Sequence, residues 1–233
     1  MINSFKQLTK FEFKLWLLSN LFILISVIIS QSSVLFLFTS LIGITALLFL
    51  AKGLPSGQVL TIIFGIFYAY ISYSYRYYGE MITYLGMTVP SALFALILWV
   101  KHPFEKGKPV VEISKLTKRK MLIIVALSIM LTIIFYFLLR LLNTPNLLIS
   151  TASIFTSLLA SLFMIFRVPY YAIAYSLNDI LLIILWVLAS ITSLVYLPMV
   201  VCFSIFLIND LYAYKNWILM KQQQYYKLAR NNV

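Results

Sequence analysis

Eight apolar stretches of roughly twenty residues each, separated by short polar breaks, leave this chain few folds to choose from. They run over about 15–31, 33–51, 57–76, 80–100, 121–141, 146–166, 170–188 and 192–213. Helices of that length match the ~30 Å hydrocarbon core of a bilayer, whereas outer-membrane barrel strands would be near ten residues and would alternate polar with apolar. The chain is therefore read as an all-α integral membrane protein of about eight transmembrane helices. With 63% hydrophobic and 10% charged residues, almost no extramembrane mass is left for a separate catalytic or nucleic-acid-binding domain. The breaks carry turn chemistry, as in Gln31-Ser32-Ser33, the Lys52-Gly53-Leu54-Pro55 turn and Asn143-Thr144-Pro145-Asn146. The break at 31–33 is the tightest, so the first segment either spans fully or lies partly in the interface. No small-x-small cleavage site follows Ile28-Ile29-Ser30-Gln31, and the first span is expected to be uncleaved.

Charge decides the expected orientation. With the N-terminus in the cytoplasm, 16 of the 18 Lys and Arg lie on that side, leaving Arg76 and Arg140 opposite. The positive-inside rule then places both termini in the cytoplasm. The net charge of +12 reads as a topology signal set against anionic head groups, so the expected partner is the lipid bilayer and not nucleic acid. A single cysteine, Cys202, and a single histidine, His102, rule out a disulfide framework and make a Cys/His metal site implausible. No cofactor or metal is expected. The 101–120 loop is the longest polar segment and reads as a solvated basic linker. Pro90 and Pro198 pair spans four and eight as a weak internal repeat, and both are expected to kink their helices.

Asp179 is the residue that asks for chemistry. About ten residues of helix, or ~15 Å, separate it from Pro169 at the start of the seventh span. A carboxylate at that depth costs about 3 kcal/mol on insertion scales. Tyr175, Ala172 and Tyr171 lie behind it on its helix face, with Leu182, Ile183 and Trp186 ahead. Two readings stand. In one, a flat cationic or polar ring is stacked by Tyr171 and Tyr175 and held by Asp179. In the other, Asp179 bonds Asn178 or a tyrosine hydroxyl and only ties helices together. The first is favoured, because intramembrane carboxylates usually line cavities.

Other polar residues are weaker candidates. Asn209 and Asp210 fall near the expected cytoplasmic end of span eight, as an inner mouth or as a helix-end cap. Gln58 and Thr61 are either path-lining or joined by an interhelical hydrogen bond worth about 0.6 kcal/mol. The run Tyr68, Tyr70, Tyr73, Tyr75, Tyr77 and Tyr78 reads chiefly as an interfacial aromatic belt. An enzyme finds little support: no P-loop, no His-Glu-x-x-His, no Gly-x-Ser-x-Gly and no pair of intramembrane aspartates of the aspartyl-protease kind.

The residues from Phe206 to Trp217 resemble the Asn-Asp-x-Tyr-Gly-x-x-Asn-Trp ending of the PnuC-type nicotinamide riboside (vitamin) transporters, with Ala213 where glycine is usual. Tyr68-Ala69-Tyr70 and Tyr78-Gly79-Glu80 are similar to that family's third span and outer turn. Its substrate motif is Trp-x-x-Trp-x-x-x-Asn/Asp after an arginine. Arg167 and Asp179 match it, while Tyr175 stands in place of the second tryptophan and Ala172 in place of the first. The resemblance implies a SWEET-like 3+1+3 core. That divides the chain into an extra N-terminal segment (1–32), a first three-helix bundle (33–100), the basic loop (101–120), a connecting helix (121–145), a second bundle (146–214) and a cytoplasmic tail (215–233). It implies a homotrimer in the bacterial cytoplasmic membrane that takes up nicotinamide riboside by facilitated diffusion, trapped by a cytoplasmic kinase. Thiamine, riboflavin or a deoxynucleoside are the alternatives within the family, and an intramembrane enzyme acting on a lipid or peptide is the alternative outside it. The implied site draws on Asp179, Tyr175, Asn178, Tyr171, Gln58, Arg167, Asn209 and Asp210.

Overall fold

A computed structural model describes residues 2–74 and 78–231. Tyr75, Arg76 and Tyr77, which enter the tyrosine run and the charge balance above, lie outside it, as does the side chain of Tyr78. A short α1 (Ile2–Phe5) precedes α2 (Lys10–Ser30), α3 (Val34–Ala51) and α4 (Pro55–Ser74). After α5 (Tyr78–Thr83) a π-helical turn (Tyr84–Thr88) leads into α6 (Val89–Lys101), so that 79–101 form one apolar span. Then come α7 (Lys118–Leu141), α8 (Leu147–Ile165), α9 (Tyr170–Thr192), a 3-10 turn (Leu194–Tyr196) and α10 (Leu197–Asn231). Among the described residues, eight helical segments are long and apolar enough to cross a membrane.

Local chemistry sets the boundaries. Thr9 caps α2 in a capping box: its hydroxyl accepts from Glu12 N–H, and Glu12 Oε2 accepts from Thr9 N–H. The tight break after α2 closes because Gln31 adopts a left-handed conformation (φ 51°), letting Ser32 N–H reach back to Val27 O at 3.2 Å. Asn143 and Asn146 do the same at the α7–α8 turn (φ 51° and 53°), where asparagine tolerates the left-handed region better than most residues.

Helices α3, α4 and α6 pack together, as do α8, α9 and α10, and the two groups meet where α3 lies along α10 and α6 along α8. Helix α7 rests against α8 and turns Leu122, Ile133 and Phe137 outward. Lipid is as apolar as leucine, so packing in this setting relies on close contact and interhelical hydrogen bonds. Buried serines on α8 (Ser150, Ser153, Ser157, Ser161) let α9 approach it closely. At the end bearing the 101–117 loop, here called the basic end, Asn216 Nδ2 and Trp217 Nε1 donate to the carbonyls of Ala51 (2.6 Å) and Leu50 (2.9 Å) at the end of α3.

Four expectations change. Pro198 sits in the first turn of α10, where its missing N–H costs nothing, and does not kink a mid-span helix. Pro90 acts one turn earlier than expected: it cannot donate to the carbonyl four residues back, and the ladder slips to the π register, with Val89 N–H on Tyr84 O. The 101–117 loop is strapped down. Val111 N–H donates to Gly53 O, Ser114 N–H to Arg167 O, and the Gln224 amide bonds Ile113 N–H and Val111 O. Residues 215–231 continue α10 as helix. Of the tyrosine run, Tyr70 and Tyr73 are exposed as a belt requires, but Tyr68 is buried and accepts from Trp186 Nε1 at 3.0 Å.

Candidate functional site

Asp179 comes from the middle of α9 and Asp210 from α10, and they are 3% and 2% exposed. Their carboxyl groups lie within hydrogen-bond reach of each other. Asp179 Oδ2 meets no N–H or O–H donor. Two carboxylates in contact repel, so the arrangement calls for a proton or a cation between them. Asp210 is thus not a helix-end cap: α10 runs on past it as helix, and Asp210 lies about 20 Å along from Leu197. The pair of intramembrane aspartates that the sequence did not display is formed by tertiary packing.

Both carboxyl groups line a cavity of about 60 Å³. Tyr175 and Asn178 of α9 enter it, as do Phe203 and Phe206 of α10, Thr61 and Phe64 of α4, and Ser157 of α8. The π turn contributes Tyr84 and Thr88. The Asn178 amide is fixed because its Oδ1 accepts from Ser153 (3.1 Å) and Thr156 (3.0 Å). The Tyr175 hydroxyl is 3.1 Å from that of Ser161. Helix α3 reaches the cavity at Gly43, where a Cβ would lie 2.6 Å from Phe206 and 2.8 Å from Phe64. Ligand pockets begin at about 300 Å³, so this conformation is closed around the carboxylates. Among the described residues lining it there is no lysine or arginine. The chemistry on offer is a counter-charge for a cation, ringed by aromatic side chains.

Of the residues expected from sequence, Asp179, Tyr175, Asn178 and Asp210 come together here, and Tyr171, Arg167 and Asn209 do not. Tyr171 packs edge-on against Trp217 and its hydroxyl is 3.4 Å from Leu50 O, part of the tie at the end of α3. Asn209 Nδ2 donates to Ile205 O on its own helix. Arg167 holds the α8–α9 turn (φ 58°) with Glu112 3.8 Å away. Burial pushes its guanidinium below the ordinary arginine range, and Glu112 opposes that shift. Gln58 is 0% exposed with neither amide atom partnered. It lies one helical turn from Thr61, on the same face of α4. A buried amide left unbonded costs about 1–3 kcal/mol per group, so Gln58 is a polar group in want of a partner just outside the closed cavity. Ala172 is buried away from the cavity, and apart from Tyr175 the aromatic surface comes from other elements.

Sequence reasoning missed Tyr84, Phe64, Phe203, Phe206 and Ser157. Pro90 was a usable signal for Tyr84, since a proline inside a span displaces the turn before it. Nothing local separates Phe64, in the cavity, from Phe67, which is exposed.

A family model described as the nicotinamide mononucleotide transporter matches residues 33–219. The nicotinamide riboside transporter PnuC of Neisseria mucosa is 30% identical over 180 residues, 75% of this chain and 68% of the relative. The crystal structure of the vitamin B3 transporter PnuC superimposes with a TM-score of 0.81 at 26% identity, covering 93% of this chain and 94% of that one. An all-helical chain with eight candidate spans among its described residues, a closed cavity around two buried carboxyl groups and these likenesses is a membrane transporter and not an enzyme, and it belongs to the nicotinamide mononucleotide transporter family.

Proposed function

We propose that this protein takes up nicotinamide riboside by facilitated diffusion across the bacterial cytoplasmic membrane, with the Asp179–Asp210 pair as the counter-charge for the pyridinium. The observation that carries this reading is a carboxyl pair buried among Tyr175, Tyr84, Phe64 and Phe206, with no lysine or arginine among the described lining residues. It also bears on the two names the relatives carry. A mononucleotide adds a phosphate of charge near −2, which two buried carboxyl groups repel. The riboside adds none. Phosphorylation by a cytoplasmic kinase would therefore convert a ligand the site accepts into one it rejects, and so trap it. Asn178 and Gln58 are assigned to the neutral part of the ligand, through hydrogen bonds. The basic end faces the cytoplasm by the positive-inside rule, and a homotrimer is carried over from the family resemblance.

Because the cavity holds about 60 Å³, a nucleoside enters only after the two helix groups separate. Purified protein in liposomes should equilibrate labelled nicotinamide riboside without ATP or an ion gradient, with unlabelled riboside competing better than mononucleotide, thiamine, riboflavin or deoxyadenosine. Accumulation above equilibrium driven by a proton gradient would overturn the facilitator mechanism. Tighter binding of the mononucleotide would overturn the assigned role of the carboxyl pair.

A further inference from the structure

A second and larger cavity, of about 300 Å³, opens at the opposite end of the bundle. It lies where the start of α5, the α7–α8 turn and the last turns of α9 come together. Its volume reaches the range of small-molecule sites, which the central cavity does not. Among the described residues that line it, Glu80 is the one charged side chain, and Trp186 supplies the aromatic wall.

The two are held in register. Glu80 shares the cavity wall with Trp186 and lies near the Tyr68 hydroxyl, which accepts from Trp186 Nε1 at 3.0 Å. The Tyr68 ring in turn lies 4.2 Å, centre to centre, from that of Tyr84, a wall of the central cavity. The opposite wall is built as closely. A Cβ on Gly79 would lie 2.7 Å from Leu139 and 3.2 Å from Thr144, so only glycine lets α5 and the α7–α8 turn approach this far. The hydroxyl of Thr144 is buried at this wall without a partner. Along α8, Ser150 faces the outer cavity and Ser157 the central one, with Ser153 buried between them. Seven residues of helix separate the two ends of this polar row, about 10 Å.

We infer that the outer cavity is a separate entry site for a flat organic monocation of the pyridinium class. The ring rests against Trp186 with its charge on Glu80, before the ligand moves along the α8 serines to Asp179 and Asp210. An aromatic wall and a carboxylate together select a cation with a π-face over an anion or an aliphatic amine. The inference rests on the transport reading for the direction of traffic and the ligand class, but its binding test does not depend on transport.

The test uses the full chain in lipid nanodiscs and 1-methylnicotinamide, a pyridinium that quenches indole fluorescence. In the Asp179→Asn/Asp210→Asn background, saturable quenching should persist, and adding Glu80→Gln should weaken it by about tenfold, the loss of one cation contact. Ala189→Phe, which fills the cavity and leaves Glu80 in place, should weaken it as much and serves if the Glu80 variant does not fold. In liposomes Glu80→Gln alone should raise the KM for riboside uptake several-fold, with the maximal rate within about twofold. No saturable quenching, or equal isotherms with and without Glu80, overturns the entry site whatever the transport result. Glu80-dependent quenching in a protein that does not move riboside keeps the entry site and sinks the transport reading instead.

Discussion

Two buried acidic centres in this molecule have opposite surroundings. Glu12, 0% exposed near the start of α2, accepts from the Tyr212 hydroxyl at 2.6 Å and from Thr9 N–H at 2.6 Å, and Lys52 Nζ lies 3.2 Å away. Its charge is fully answered, and it pins α2 to the α3–α4 turn and to α10. Asp179 and Asp210 answer only each other. Helix α10 supplies both centres: Asp210 and Tyr212 are two residues apart, hence about 200° apart around the helix, one facing the cavity and the other facing α2. A satisfied carboxylate fastens helices, and an unsatisfied pair keeps a place for something else.

Four measurements break or sharpen that contrast. The largest effect is expected from Asp179→Ala, which should lower riboside uptake in liposomes by about a hundredfold or more, near 3 kcal/mol of binding. The thermal midpoint in detergent should hold or rise, because a like-charge contact is relieved. A large fall in midpoint with uptake intact would make the pair structural. Glu12→Ala should do the reverse. Removing one partner of a buried ion pair costs about 3 kcal/mol, or roughly 6–12 °C for a chain of this length, while uptake per folded molecule stays within about threefold of the parent. Third, Gly43→Ala drives a methyl into Phe206 and Phe64 and should weaken riboside binding by about tenfold through crowding of the cavity, read by calorimetry.

The smallest effect is expected at Glu105, an exposed carboxylate. Hydrogen bonds from Lys108 and Lys227 hold it down at about 2. A depressed carboxylate stabilises the fold above the ordinary carboxylate range, and that contribution fades as pH falls below that range and is gone below about 2. Stability and uptake measured between pH 5 and 8 should therefore show no change on Lys227→Met, as screened surface pairs predict. A clear midpoint shift in that window would mean that the strap between the loop and α10 matters more than its exposure indicates.

The spans were legible in the sequence because a bilayer imposes one length and one polarity on every helix that crosses it. Asp179 was legible for the same reason, as the acid at the wrong depth. Asp210 was not. Its surroundings, Asn209-Asp210-Leu211-Tyr212, look like a helix approaching water, and only the packing of α10 against α9 shows that Asp210 is buried in one cavity with Asp179. Aromatic neighbours on the helix of Asp179 were expected to form the cage; Tyr175 does line the cavity, but Tyr171 turned to the end of α3 and its place was taken by Phe64, Tyr84 and Phe206 from other elements. One-helix periodicity cannot report such contributions. The Asn-Trp ending that carried the family resemblance proved to be a cap for α3, fixing the scaffold more than the ligand.

The amide of Gln224 bonds both Ile113 N–H and Val111 O, as a neighbouring strand would. It sits on the same unbroken helix as Asp210, fourteen residues further on and so about 21 Å away. That makes α10 a lever, with one arm running past the cavity and the other clasping the basic loop. A tilt of about 5° pivoting at Asp210 moves Gln224 by about 2 Å, more than a hydrogen bond stretches, so the loop must travel with the helix or let go. Spin labels on the 106–108 segment and at the start of α4 would test whether the loop moves when the carboxyl pair is occupied.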